Sequence, residues 1–171
     1  MKREVIKAKN HEIVEYWFSR IDECGLSVDA AEAHERCWRC GCKRTLERCH
    51  IVPASLGGSD DPSNLVLLCH RCHLDSPNVA DPEIMWDWIR AYGTSFYDTF
   101  WTIQGMKEYE FIYNRSLEEE FKARNIEDIN EFNKIIKEEM QKTTYHFGDP
   151  HLNIATIAGV IRMALKRYEE M

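Results

Sequence analysis

Two short cysteine motifs constrain the fold of this chain more than any other feature of its sequence. Cys37 and Cys40 form one Cys-x2-Cys pair, Cys69 and Cys72 form a second, and 28 residues separate the two pairs. Each pair places two thiolates on one tight turn, and two such pairs supply the four soft ligands of a tetrahedral structural zinc ion. The spacing therefore predicts one zinc ion that braces a small folded unit formed by the intervening residues.

The alternative is that these four cysteines are buried free thiols. Arginine and histidine occupy spacer positions in the two motifs, and such side chains argue against a purely apolar cysteine cluster. The chain has 7 cysteines, an odd number, so a complete set of disulfides is impossible. Cys24 and Cys42 fit no ligand frame, although Cys42 is close enough to Cys40 in sequence to be an alternative ligand.

The ends and the apolar runs of the sequence bear on its location. The N-terminal residues are charged and no apolar stretch follows them, so we expect no secretory signal. The longest apolar runs are far too short to cross a bilayer, so we expect no membrane-spanning helix. We therefore expect a cytoplasmic protein, in which reducing conditions favour metal ligation by cysteine over disulfides.

Charge is distributed unevenly along the chain. The formal net charge of the 171 residues is -7, yet residues 36–73 carry 6 basic and only 3 acidic side chains. This net-basic stretch also contains 6 of the 7 cysteines, and thiolates bound to a metal would offset much of its positive charge. An acidic chain that binds phosphate groups must bind them locally, or with metal ions supplying positive charge.

Four segments outside the cysteine region have the sequence pattern of helices. Apolar residues recur at every third or fourth position in each segment. The second segment also has Asp81 as a candidate N-cap, Pro82 at the first helical position and Gly93 as a stop. The predicted helices are 11–24, 81–93, 116–142 with an interruption near Asn125, and 153–169. Residues 37–73 instead contain turn-forming residues and two short β-prone runs, 49–52 and 65–68.

The residues between the cysteine pairs follow a recognisable order. His50-Ile51-Val52-Pro53 comes first, Gly57-Gly58 and Asn64-Leu65 follow, and the pattern closes with Cys72-His73. This sequence resembles the motif of the HNH endonuclease family, whose three named letters would be His50, Asn64 and His73. The resemblance covers about residues 36–78.

The resemblance implies a fold class and a division of the chain. The fold would be α+β and mainly helical, with a small zinc-braced β-hairpin-plus-helix unit of the ββα-metal type flanked by N-terminal and C-terminal helices. The expected segments are an N-terminal helical segment (1–35), the HNH nuclease unit with its structural zinc (36–80) and a C-terminal helical region (81–171).

The resemblance also assigns roles to individual residues. His50 would be the general base that takes a proton from water, His73 would bind a divalent catalytic metal ion, and Asn64 would brace the loop that aims His50. A histidine suits the first role because its ordinary pKa lies near neutral pH. The expected substrate is DNA, with RNA also compatible. The predicted nucleic-acid contacts are Arg48, Arg71 and His70, and His70 could instead support the neighbouring zinc ligands.

One position departs from the family pattern. Family members carry Asp, and sometimes His, immediately before the base histidine, where it binds the metal; this chain has Cys49 there. If Cys49 is a ligand, its thiolate would favour Mn²⁺, Ni²⁺ or Zn²⁺ over Mg²⁺. Otherwise Cys49 packs as a small apolar residue and water takes its place, or catalysis is lost and binding remains. Glu47 lies on the same side of the strand by alternation and is a candidate helper.

Two functions from different classes fit these observations. The first is a metal-dependent DNA endonuclease of the HNH class, and the second is a zinc-stabilised nucleic-acid-binding or interaction module without catalytic activity. A zinc scaffold requires none of His50, Asn64 and His73, so their joint presence favours the enzyme. The acidic flanks weakly favour the binding module.

Overall fold

The computed structural model describes residues 6–145 and 151–171 and divides the chain into two compact units, Met1–Phe100 and Trp101–Met171. No helix in the described part of the chain is long and apolar enough to cross a membrane. We expect no secretory signal on the basis of residues 1–5, and these residues lie outside the described part of the chain. The helices of the first unit are α1 (Asn10–Phe18), α2 (His70–Leu74) and α3 (Pro82–Ala91), and its strands are β1 (Leu46–His50) and β2 (Leu65–Cys69).

A two-stranded antiparallel hairpin followed directly by a short helix lies at the centre of the first unit. β1 pairs with β2 so that Leu46 opposes Cys69 at one end and His50 opposes Leu65 at the other. Every residue of β2 is buried, as expected for a strand covered on both faces. α2 begins at His70, immediately after β2. The arrangement is the β-hairpin-plus-helix unit that the motif predicts, so the predicted fold class is confirmed.

Helices on either side of the hairpin in sequence pack onto it. The Trp17 indole of α1 donates a hydrogen bond to the Leu65 carbonyl oxygen of β2 at 2.8 Å. The Trp86 ring of α3 contacts the Trp17 ring and stacks on the ring of buried Trp38. The predicted boundaries at residues 35 and 80 therefore fall inside the first unit, because both flanking segments share its aromatic core.

The second unit is helical throughout its described elements. It contains α4 (Phe100–Tyr113), α5 (Leu117–Arg124), α6 (Ile129–Met140) and α7 (Ile154–Glu169); the first residue of α4 is the last of the first unit. Its core is formed by apolar side chains of these helices and their connections: Tyr109, Ile126, Phe132, Ile135, Ala158, Ile161, Ala164 and Leu165. Glu120 is also buried here, where it accepts a hydrogen bond from the Tyr109 hydroxyl at 2.7 Å.

Helix ends follow the capping residues that the sequence contains. Asp81 accepts a hydrogen bond from the Glu83 amide at the start of α3, and Asn153 accepts one from the Thr156 amide at the start of α7. Asn125 adopts φ 53° between α5 and α6, where the interruption is predicted. α1 ends at Phe18, earlier than predicted. α4 is a helix that the sequence pattern does not predict.

Candidate functional site

The four cysteines of the two motifs form a compact buried group. Their sulfur atoms all lie within 4.8 Å of one another, and the Cys40 and Cys69 sulfurs are 3.9 Å apart. Tetrahedral zinc with Zn–S bonds of about 2.3 Å places its sulfurs about 3.8 Å apart. The donor set and its spacing therefore fit a structural zinc ion. Among the described residues, this is the one group of three or more potential ligands that converges in this way.

The local backbone explains why the first cysteine pair turns tightly. Gly41 has φ 67°, a conformation that glycine adopts without strain, and its amide donates to the Cys37 carbonyl oxygen at 2.8 Å. The Trp38 amide donates to the Leu67 carbonyl oxygen at 3.0 Å, which attaches this turn to β2. The second cysteine pair is held by regular secondary structure, because Cys69 ends β2 and Cys72 lies in the first turn of α2.

The cysteine thiols differ in how readily they lose their protons. Hydrogen bonds from neighbouring thiols, Cys37 first, lower the pKa of Cys40 and lower that of Cys69 to about 7. Burial raises the pKa of Cys37, and hydrogen bonds with the other thiols, Cys37 first, raise that of Cys72. Thiolates are the form that binds zinc. Cys42 is buried but lies outside the four-cysteine group, and its thiol donates to the Cys40 carbonyl oxygen at 3.7 Å. Cys24 is exposed.

His50 lies at the end of β1, on the side of the hairpin away from the cysteine group. Its imidazole Nε2 is 2.7 Å from the Asp60 carboxylate, and its side chain is 18% exposed. A carboxylate accepts the hydrogen bond, so in the neutral imidazole Nε2 carries the proton and Nδ1 carries the lone pair. Asp60 belongs to the loop that connects the two strands, and the sequence pattern gives it no role.

Asn64 ties together both ends of this connecting loop. Its amide oxygen accepts from the Val52 amide at 2.9 Å, and its amide nitrogen donates to the Val52 and Ser59 carbonyl oxygens, each at 2.9 Å. The main chain adds a bond from the Ile51 amide to the Asn64 carbonyl oxygen at 2.8 Å. Three side-chain hydrogen bonds from one residue hold the loop against the strand end that carries His50.

Gly58 lets the loop close on itself. A Cβ atom at this position would lie 1.7 Å from the Val52 carbonyl oxygen and 2.6 Å from the Asn64 amide nitrogen. No side chain fits in such a space, so only glycine permits the backbone to approach this closely. The second glycine of the Gly-Gly pair in the sequence pattern is therefore required on steric grounds.

Glu47 connects β1 to both histidines of α2. One carboxylate oxygen is 2.6 Å from His73 Nδ1 and the other is 2.9 Å from His70 Nδ1. Partial burial opposes ionisation of Glu47, but the hydrogen bonds from His73 and His70 outweigh it and lower its pKa. With Nδ1 donating to the carboxylate, His73 has its lone pair on Nε2, the atom available to a metal ion.

Cys49 faces the interior of the unit. It is 2% exposed, its thiol donates to the Ser76 hydroxyl at 3.4 Å, and that hydroxyl donates to the His73 carbonyl oxygen at 2.8 Å. Burial raises the pKa of the thiol to about 11, which keeps it protonated at neutral pH. These contacts favour the packing alternative for Cys49, and metal binding by its thiolate stays a prediction.

The predicted nucleic-acid contacts have different surroundings. Arg48 donates to the Ile6 and Ala8 carbonyl oxygens at 3.1 and 2.9 Å, so its guanidinium holds the N-terminal segment. The His70 side chain is 72% exposed while bonded to Glu47.

A cleft of about 510 Å³ opens beside Glu47. Its lining residues are Ile6, Lys9, Asn10, Leu46, Glu47 and Arg48.

Comparison with known proteins agrees with this geometry. Residues 35–77 match the family model of the HNH endonucleases, so the predicted resemblance is confirmed over about a quarter of the chain. The matched stretch contains the cysteine group, the hairpin, its loop and α2.

One curated relative has a similar sequence. The chain is 34% identical over 65 residues to a protein named "Probable mobile endonuclease C" from Enterobacteria phage T4. The aligned stretch is 38% of this chain and 27% of that protein, so the chain spans about a quarter of its relative's length. No solved structure matches. The two sequence comparisons together support a nuclease.

Proposed function

We propose that this chain is a metal-dependent endonuclease that hydrolyses phosphodiester bonds in DNA. The observation that carries the proposal is the pair of histidines within the stretch matched by the HNH endonuclease family. His50 at the end of β1 and His73 on α2 are each bonded to a carboxylate, Asp60 and Glu47 respectively. A zinc-bound scaffold that only binds its partner needs neither pair.

His50 supplies the base chemistry of the proposed reaction. Its Nδ1 lone pair takes a proton from a water molecule, and the resulting hydroxide oxygen attacks the phosphorus atom in line with the 3′ oxygen. A P–O bond to water forms while the P–O3′ bond breaks. The products are a 5′-phosphate and, once the departing oxygen is protonated, a 3′-hydroxyl.

On α2, His73 can supply one ligand to a divalent ion. His73 offers Nε2 because Glu47 occupies Nδ1, and a carboxylate behind a metal-binding histidine fixes its tautomer and strengthens it as a ligand. When bound, such an ion supplies positive charge beside the departing oxygen. We propose Mg²⁺, Mn²⁺ or Ni²⁺ for this site, and Zn²⁺ for the buried cysteine group, whose sulfur-only donor set suits that ion.

DNA is the proposed substrate on the basis of charge and family. Residues 36–73 are net basic in an otherwise acidic chain, and Lys9 and Arg48 line the cleft beside Glu47. Cations at such a cleft attract a phosphate backbone locally. RNA shares the phosphodiester chemistry, so a test must include it.

The deciding experiment is a cleavage assay with supercoiled plasmid and single-stranded RNA, in Mg²⁺, Mn²⁺ and Ni²⁺ separately. We expect plasmid cleavage by the zinc-loaded protein. His50→Ala should reduce the rate by roughly 10²–10⁴-fold, the loss that follows removal of a general base, with unchanged zinc content and melting temperature. His11→Ala, at an exposed position on α1, is the matched control. DNA binding without cleavage in every metal would instead establish the binding module.

A further inference from the structure

We infer that Asp60 is a positioning residue for the base His50. The Asp60 carboxylate holds imidazole Nε2 and so presents Nδ1 to the water that is to be deprotonated. The inference rests on the proposed function, since it concerns how the proposed base is aimed. Asp60 itself touches no reacting atom.

The geometry of the contact suits this role. Nε2 of His50 and the Asp60 carboxylate oxygen are 2.7 Å apart, a short distance typical of hydrogen bonds to an ionised acceptor. An imidazole at the end of a strand can rotate about its side-chain bonds and can carry its proton on either nitrogen. A carboxylate on Nε2 selects one tautomer and one orientation together, and it stabilises the imidazolium that forms when Nδ1 takes a proton.

The loop that carries Asp60 is itself held in place. Asn64 donates to the Ser59 carbonyl oxygen, directly before Asp60, and bonds both polar groups of the Val52 main chain. The loop is therefore fixed to the same strand end that carries His50. This gives a connected set of contacts from Asn64 through Ser59 to Asp60 and then to the base.

A surface ion pair without a catalytic role would behave differently. Asp60 is 43% exposed, and exposed ion pairs contribute little to stability. Loss of such a pair would leave turnover unchanged. A positioning carboxylate would instead affect turnover far more than stability or substrate binding.

The matched test compares Asp60→Asn with Asp61→Asn. Both variants remove one negative charge from adjacent positions of the same loop, but only the first removes the carboxylate on His50. We expect Asp60→Asn to lower kcat by roughly 10- to 100-fold, less than loss of the base itself, with KM, zinc content and melting temperature close to wild type. Asp61→Asn should keep the wild-type kcat, and Asp60→Glu should recover part of the loss.

A double variant separates positioning from a general structural effect. In the His50→Ala background, Asp60→Asn should cause no further loss, because residues that act as a unit are non-additive. A second, independent loss would overturn the inference, as would equal kcat values for Asp60→Asn and Asp61→Asn. Those results leave the proposed function intact if His50→Ala alone shows the expected loss of cleavage rate. Full activity of His50→Ala would instead overturn the proposed function.

Discussion

One short hairpin carries two kinds of site with opposite chemical character. At the end where Leu46 opposes Cys69, four sulfur atoms converge in the interior, each on a residue that is at most 1% exposed. At the end where His50 opposes Leu65, the His50–Asp60 pair lies near the surface, with side-chain exposures of 18% and 43%. The Glu47–His73 pair lies nearer the cysteine end, because Glu47 opposes Leu68 and α2 follows Cys69 directly, but its side chains are also open to solvent, 38% and 37% exposed. Structural metal sites are closed, whereas catalytic sites leave a position open to water and substrate. Under the proposed function, the hairpin therefore serves a closed site for stability and an open one for chemistry.

This contrast predicts that loss of a cysteine ligand has the largest effect of any single change. Replacing Cys40 or Cys72 by Ser should remove bound zinc and soluble folded protein together. A structural zinc ion binds with roughly 10–16 kcal/mol in small domains, as large as the whole stability of an ordinary domain, about 5–15 kcal/mol. Elemental analysis and thermal melting of the purified variants measure both effects.

Cys24→Ser is the matched control for the cysteine variants. Cys24 is exposed and lies outside the four-cysteine group, so its replacement should change neither zinc content nor melting temperature. Purified wild-type protein without zinc, together with a Cys40→Ser variant that melts at the wild-type temperature, would show that the cysteine group is not a structural metal site.

At the histidine end, Gly58→Ala should have the next largest effect. An added Cβ would lie 1.7 Å from the Val52 carbonyl oxygen, so the loop must move away from Asn64 and carry Asp60 with it. We expect cleavage to fall by roughly 10²-fold or more, approaching the loss of the base itself, while zinc remains bound. Gly159→Ala, in α7 with open space around the added atom, should keep full activity. Equal activity of the two variants would contradict the loop's role.

A smaller effect is expected from Glu47→Gln, which removes the charge behind His73. Partners of this kind typically contribute 10–100-fold to metal affinity, so Mn²⁺ should bind the zinc-loaded variant roughly 10- to 100-fold more weakly. Titration followed by electron paramagnetic resonance measures binding without requiring cleavage. Glu15→Gln removes the same charge from an exposed position on α1 and should leave affinity unchanged. Wild-type affinity in Glu47→Gln would show that the carboxylate does not support the site.

How far the sequence predicts the structure also differs between the two kinds of site. The cysteine group follows from ligand type and spacing, because four thiols in two tight turns have few other uses. The Glu47 contact with α2 follows only in part from strand alternation. The Asp60 contact depends on the path of a loop, for which an acidic residue in the sequence gives no signal. α4 escapes prediction because its apolar residues surround the helix, leaving no single face with a helical period.

The smallest expected effect is that of Cys49→Ala, and it decides between two interpretations of the departure from the family pattern. If the thiolate binds the catalytic ion, the wild-type protein should prefer Mn²⁺ or Ni²⁺ over Mg²⁺, Cys49→Ala should lose that ranking, and Cys49→Asp should shift it towards Mg²⁺. The geometry favours the other interpretation. The thiol is buried, its pKa is raised to about 11 by that burial, and it donates to Ser76, which in turn bonds the main chain of His73.

We therefore expect Cys49→Ala to keep both the activity and the metal ranking of the wild type within a few-fold. Cys49→Asp should be less stable, because it places a carboxylate where a small apolar group packs. Parallel titrations of the three proteins with Mg²⁺, Mn²⁺ and Ni²⁺, each with a melting curve, measure both properties. A changed ranking in Cys49→Ala would assign the thiolate to the metal after all. The open site would then share the sulfur chemistry of the closed one, and the contrast between the two kinds of site would be one of exposure alone.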